Sequence, residues 1–120
     1  MEPYRHEALM MEDYNILNDI IDNMMEVYEE LDGAKKYIKT AMKYRSTDRK
    51  MADRLVVMSA EELGHADSIC EGIEAMLTKA ESEDDDCAFV LRKVWSHLKE
   101  RMNGYKAWIK NMHAEYKSMA

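Results

Sequence analysis

After Pro3 the chain contains no proline, and apolar residues recur along it every three or four positions in three long runs. Proline breaks helix interiors, and a three-four recurrence marks one face of a helix. Only four glycines interrupt a background of strong helix formers, Met, Leu, Ala, Glu and Lys. The pattern predicts an all-α protein: a long antiparallel helical hairpin plus a third helix.

The first helix is expected over about residues 3–45, with Pro3 acceptable in its first turn. Its stripe is Leu17, Ile20, Met24, Val27, Leu31, Ala34, Ile38 and Ala41. A second row, Met10, Tyr14, Ile21, Met25 and Tyr28, widens the apolar face and suggests contact with more than one neighbour. Asp32-Gly33 is a possible break, because Asp-Gly marks turns and an interior Gly costs about 1 kcal/mol relative to Ala. The stripe continues in phase across it, which favours one continuous helix. Ser46-Thr47-Asp48 reads as the connection, with Ser46 or Thr47 as the cap of a second helix over about 48–79. The acidic run Ser82–Asp86 reads as the N-terminal cap of the third helix. A calcium loop would space its ligands around a Gly and end in Glu. The third helix, about 87–117, has a stripe of Leu91, Trp95, Leu98, Met102, Tyr105, Ile109, Met112, Tyr116 and Met119. This alternation of four and three is a heptad seam. At 120 residues the chain reads as one domain, 1–120. Helices of this length, roughly 45–60 Å, are long for such a chain and point to oligomerisation.

The balance of 24 acidic against 17 basic residues gives a net charge of -7, which disfavours nucleic acid or an anionic membrane as partner. No apolar run approaches the roughly 18 residues of a membrane span. The polar start, Met1-Glu2-Pro3-Tyr4-Arg5-His6-Glu7, does not read as a signal peptide, and two cysteines without a CxxC suit a reducing compartment, so a cytoplasmic location is expected. Cys70 reads as a small core residue. Twelve methionines at helical spacing read as adaptable core packing rather than as copper or haem ligands.

One stretch resists the core reading. Glu62 and His65 fall in phase with Leu55, Met58, Ile69, Ile73 and Met76, where the second helix should face inward. An inward carboxylate is costly unless paired or bound to a cation. A Glu-x-x-His pair facing into a bundle is one element of a di-metal carboxylate site. The motif alone is weak, since about half a match is expected by chance. Two further observations support it. Glu30 lies at the edge of the first helix's stripe. It also precedes the Ser46-Thr47 connection by about as many residues as Glu62 follows it, so the two carboxylates should stand level. Glu26, one turn away, could serve as an outer ligand, while Glu29 reads as solvent-facing. The competing reading is a Glu62–His65 pair satisfied by protein side chains. A nucleophilic hydrolase is disfavoured, because no Ser or Cys is in phase with His65 and a second, orienting acid.

Glu30-Leu31-Asp32-Gly33-Ala34-Lys35-Lys36-Tyr37, followed after the hairpin by Met58-Ser59-Ala60-Glu61-Glu62-Leu63-Gly64-His65-Ala66, resembles the first half of the ferritin-like superfamily, in the manner of rubrerythrins and encapsulated ferritins. The resemblance covers about residues 26–77. It implies Glu30, Glu62 and His65 as metal ligands, a di-iron centre (manganese or zinc being alternatives) and oxidation of Fe(II) or reduction of O2 or peroxide. The third helix departs from the pattern. It has no Glu-x-x-His, its seam carries no acid or imidazole, and His97, Glu100, His113 and Glu115 read as surface residues. One chain would then supply half a site, and a homodimer would complete both the site and a four-helix bundle. The reading from a different class is a non-catalytic structural or adaptor protein that self-associates through the third helix.

Overall fold

In a computed structural model, backbone is described for residues 3–83 and 85–119, and side chains for 16–83 and 85–119. The described residues form three helices and no strand: α1 (Pro3–Tyr44), α2 (Arg49–Ser82) and α3 (Asp86–Ser118). They run up, down and up in a body of 72 × 22 × 15 Å.

α1 is continuous through Asp32-Gly33. Its buried residues are Ile20, Met24, Val27, Leu31, Ala34, Ile38 and Ala41, the expected stripe with Leu17 half-buried at its end. Of the second row, Met10 and Tyr14 lie outside the described side chains. Ile21 and Met25 are exposed and Tyr28 is half-buried. The described residues of that row border a groove shared with α3, and α1 does contact two neighbours, α2 and α3.

α2 buries Ala52, Ser59, Leu63, Ala66, Ile73, Leu77 and Ala80 against α1. Ala and Ser at four of these positions let the two backbones approach closely, and most tertiary contact is between α1 and α2. The capping residue is Asp48, whose Oδ1 accepts from the Met51 N–H at 3.1 Å, not Ser46 or Thr47. The reason lies in the turn: the Tyr44 carbonyl accepts the N–H groups of both Thr47 and Asp48, so the chain is released into α2 only at Asp48. α2 also runs to Ser82, beyond the expected end at Lys79. Ala80 is buried there, and Glu81 is tied to Arg92 of α3 at 2.6 Å.

α3 starts at its cap Asp85, whose Oδ1 accepts from the Cys87 N–H at 2.9 Å, as the acidic turn suggested. Trp95, Met102, Ile109 and Tyr116, spaced by heptads, are its buried seam and close the core over the hairpin. Polar contacts on both sides hold α3 in register. Toward α2, Glu74 accepts from Trp95 Nε1 at 2.7 Å and from Lys99 Nζ at 2.8 Å, and also binds Arg92. Lys106 pairs with Asp67 at 2.7 Å, and the Tyr116 hydroxyl donates to Asp53 at 2.6 Å. Toward α1, the Tyr105 hydroxyl donates to Asp32 at 2.6 Å, and Lys35 lies over the Trp108 ring. The hydrogen bonds from Lys99, Trp95 and Arg92 hold the Glu74 carboxyl down at about 2, against an ordinary 4.5. No helix among the described residues is long and apolar enough to cross a membrane.

Candidate metal centre

Glu30, Glu62 and His65 come together on one flank of the hairpin. One donor atom from each lies within 4.8 Å of the others. Glu30 is three-quarters buried, with 23% of its side chain exposed, and its Oε2 is 3.6 Å from His65 Nδ1. The level placement expected from counting out of the turn is what joins residues 32 to 35 positions apart. In a tight antiparallel pair, residues equidistant from the connection face each other.

The burial of the site differs from the expectation. Glu62 is half-buried, and His65 is exposed, at 63% of its side chain. The row Leu55, Met58, Glu62, His65, Ile69 and Met76 is the rim of the α1–α2 seam, not its centre. The centre is taken by Ser59, Leu63, Ala66 and Ile73, because only small residues alternating with aliphatic ones allow the close approach to α1. Water reaches the rim, so the cost that would force a cation onto Glu62 in a buried setting is reduced here. The site also faces away from α3, whose polar contacts to α2 run through Asp53, Ser59, Asp67, Cys70, Glu74 and Glu81.

Gly33 has a place in this geometry that its reading as a weak point missed. A Cβ there would lie 3.6 Å from Glu62 Oε2, so the carboxylate of Glu62 lies across the bare backbone one turn after Glu30. The sequence signal was a Gly three positions after a candidate ligand. Glu26 is exposed and does not join the three-residue group; Glu29 is exposed, as expected, and Tyr37 is half-buried.

His113 is not a surface residue. It is half-buried, and its Nε2 lies 2.8 Å from Ser59 Oγ. Ser59 is fully buried and donates its hydroxyl proton to the Ala34 carbonyl at 2.7 Å, so His113 is the donor to Ser59. This chain of two bonds ties α3 to α2 and α2 to α1. Burial, with a smaller contribution from Lys117, pushes the His113 pKa down. A serine that gives its proton to a main-chain carbonyl out of reach of solvent is not poised as a nucleophile, so the Ser–His contact is structural. Spacing gave no signal for the contact itself, only His113's place next to Met112 on the seam. His97, Glu100 and Glu115 are exposed, as expected. Cys70 is half-buried near Lys106; desolvation pushes its thiol up, and both cysteines are free.

Comparison with family models, with functionally characterised proteins and with solved structures finds no match to this chain.

Proposed function

We propose that this is a ferritin-like metal-binding protein whose Glu30, Glu62 and His65 bind a divalent transition metal, with iron as the physiological occupant and manganese or zinc as alternatives. The observation that carries the reading is the convergence of two carboxylates and an imidazole, from two helices, to within 4.8 Å. The donor set fits: carboxylate and imidazole together suit Fe(II), Mn(II) and Zn(II). Three donors at a solvent-facing rim are an incomplete set. A second hairpin packed on this flank, related by a two-fold axis, would bring the total to four carboxylates and two imidazoles and enclose them.

Bound iron would supply one-electron chemistry toward O2 or peroxide. The chain's own contributions are separable. Glu30, the most buried ligand, is anchored on the α1 stripe. Glu62 lies over the bare backbone of Gly33. His65 sets the open edge. The test is metal content and Fe(II) oxidation of wild type against Glu62→Ala. Binding and oxidation above buffer are expected in the first and neither in the second; buffer-level oxidation and no metal in both contradict the proposal.

The non-catalytic reading is favoured by one observation. His65 lies 3.6 Å from Glu30 and is largely solvated, so the cluster can be satisfied by its own side chains and solvent without metal. Under that reading Glu62→Ala and wild type would bind equally little metal.

A further inference from the structure

An apolar groove of about 450 Å³ runs between the first halves of α1 and α3, on the side of the body away from the Glu30–Glu62–His65 cluster. Ile21, Met25 and Tyr28 line it from α1, and Leu91, Val94 and Leu98 from α3. It continues past Leu17 and Val90 as a second depression of about 380 Å³. Met25 and Val90 expose 61% and 59% of their surface, and Ile21 and Val94 are also exposed. A contiguous apolar surface of this kind marks an interface.

The charges along its edges say what covers it. α1 and α3 are parallel and level at an offset of about 73 residues, as the Tyr105–Asp32 and Trp108–Lys35 contacts fix. The outer heptad row of α1 is Asp22, Glu29, Lys36 and Lys43; the row level with it on α3 is Val94, Arg101, Trp108 and Glu115. Each pair of positions differs by 72, within one residue of that offset, all eight residues are exposed, and among the described residues Glu29 and Arg101 make no ion pair, nor do Lys43 and Glu115. The sign of charge runs from acid to base up α1 and from base to acid up α3.

We infer that a second copy of this chain docks on the groove in parallel, with α1 of each copy in register against α3 of the other about a two-fold axis along the bundle. Ile21 and Met25 then bury against the partner's Val90 and the partner's Val94. Glu29 meets the partner's Arg101, Lys43 meets the partner's Glu115, and Lys36 reaches the face of the partner's Trp108; the axis makes each contact twice. This interface is separate from the one that would complete the metal cluster, and it does not depend on metal.

The test is sedimentation equilibrium in EDTA, on wild type and on Glu62→Ala, with helicity followed by circular dichroism. Dimers are expected for both proteins. Glu29→Arg and Arg101→Glu each weaken the dimer about tenfold, the double variant Glu29→Arg/Arg101→Glu recovers wild-type association, and Met25→Lys gives a folded monomer. A monomeric mass for both proteins up to about 100 µM overturns the inference, leaving the groove to an unrelated helix. So does a dimer that Met25→Lys leaves intact, or a double variant no stronger than the singles.

Discussion

The two edges of α2 differ in how their carboxylates are satisfied. On the edge facing α3, Glu74 accepts from Trp95, Lys99 and Arg92, Asp53 accepts from Arg49 and Tyr116, and Asp67 pairs with Lys106. On the opposite edge, Glu62 stands beside Glu30 with only the exposed ring of His65 near them. The same helix thus carries one set of acids matched to donors across a packed interface and another set gathered with too few donors. The first arrangement is what a register-setting interface needs. The second is what a cation site, or a surface awaiting a partner, needs. The contrast teaches that acid content alone says little about function; the supply of donors around each acid is the informative quantity.

The comparison breaks first if the α3 edge is not the stabilising one. Trp95→Ala, which empties the centre of that interface, is expected to cost about 3–5 kcal/mol in urea or thermal unfolding. A loss below 1 kcal/mol would mean α3 is a loosely attached cover. The next test is acid. Because the folded-state pKa of Glu74 is depressed, its contribution is present above about 4.5 and lost as pH falls toward about 2. Glu74 is partly solvated, which limits the effect to about 1 kcal/mol after screening. Glu74→Gln should therefore flatten the fall in stability over that range; an unchanged profile would show the carboxylate is not held by its three donors.

Smaller effects belong to the open edge. Gly33→Ala places a methyl at ordinary van der Waals distance from Glu62 Oε2, so the gain in helix propensity should dominate, about 0.5–1 kcal/mol of stabilisation. Destabilisation would show that Glu62 is pressed against the α1 backbone more tightly than 3.6 Å implies. Glu62→Ala in metal-free protein should change stability least, by less than about 0.5 kcal/mol, because the half-buried rim carboxylate has no matched donor to lose. A larger loss would mean Glu62 is structural.

How much of this was legible depends on what each position is made of. The α1 stripe and the α3 seam were readable because Ile, Leu, Val, Met and Trp occupy them at helical spacing, and the phase of the stripe carried α1 through Gly33. The α2 seam was not, because Ala52, Ser59, Ala66 and Ala80 are too small to stand out beside Leu55, Met58 and Ile69 on the neighbouring rim. That single misplacement put Glu62 and His65 in the core. The meeting of Glu30 with Glu62 and His65 was nonetheless readable, since it depends on counting from the turn and not on burial. The Asp48 cap and the His113–Ser59 contact were not readable, because each depends on main-chain or inter-helix geometry that spacing does not encode.

We propose that the under-supplied edge of α2 is a metal site. The direct measurement is iron retained per chain after anaerobic loading with Fe(II) and desalting, on wild type and Glu62→Ala side by side. About one iron per chain is expected in wild type and none in Glu62→Ala. Equal retention in the two proteins, whether none or one, would contradict it.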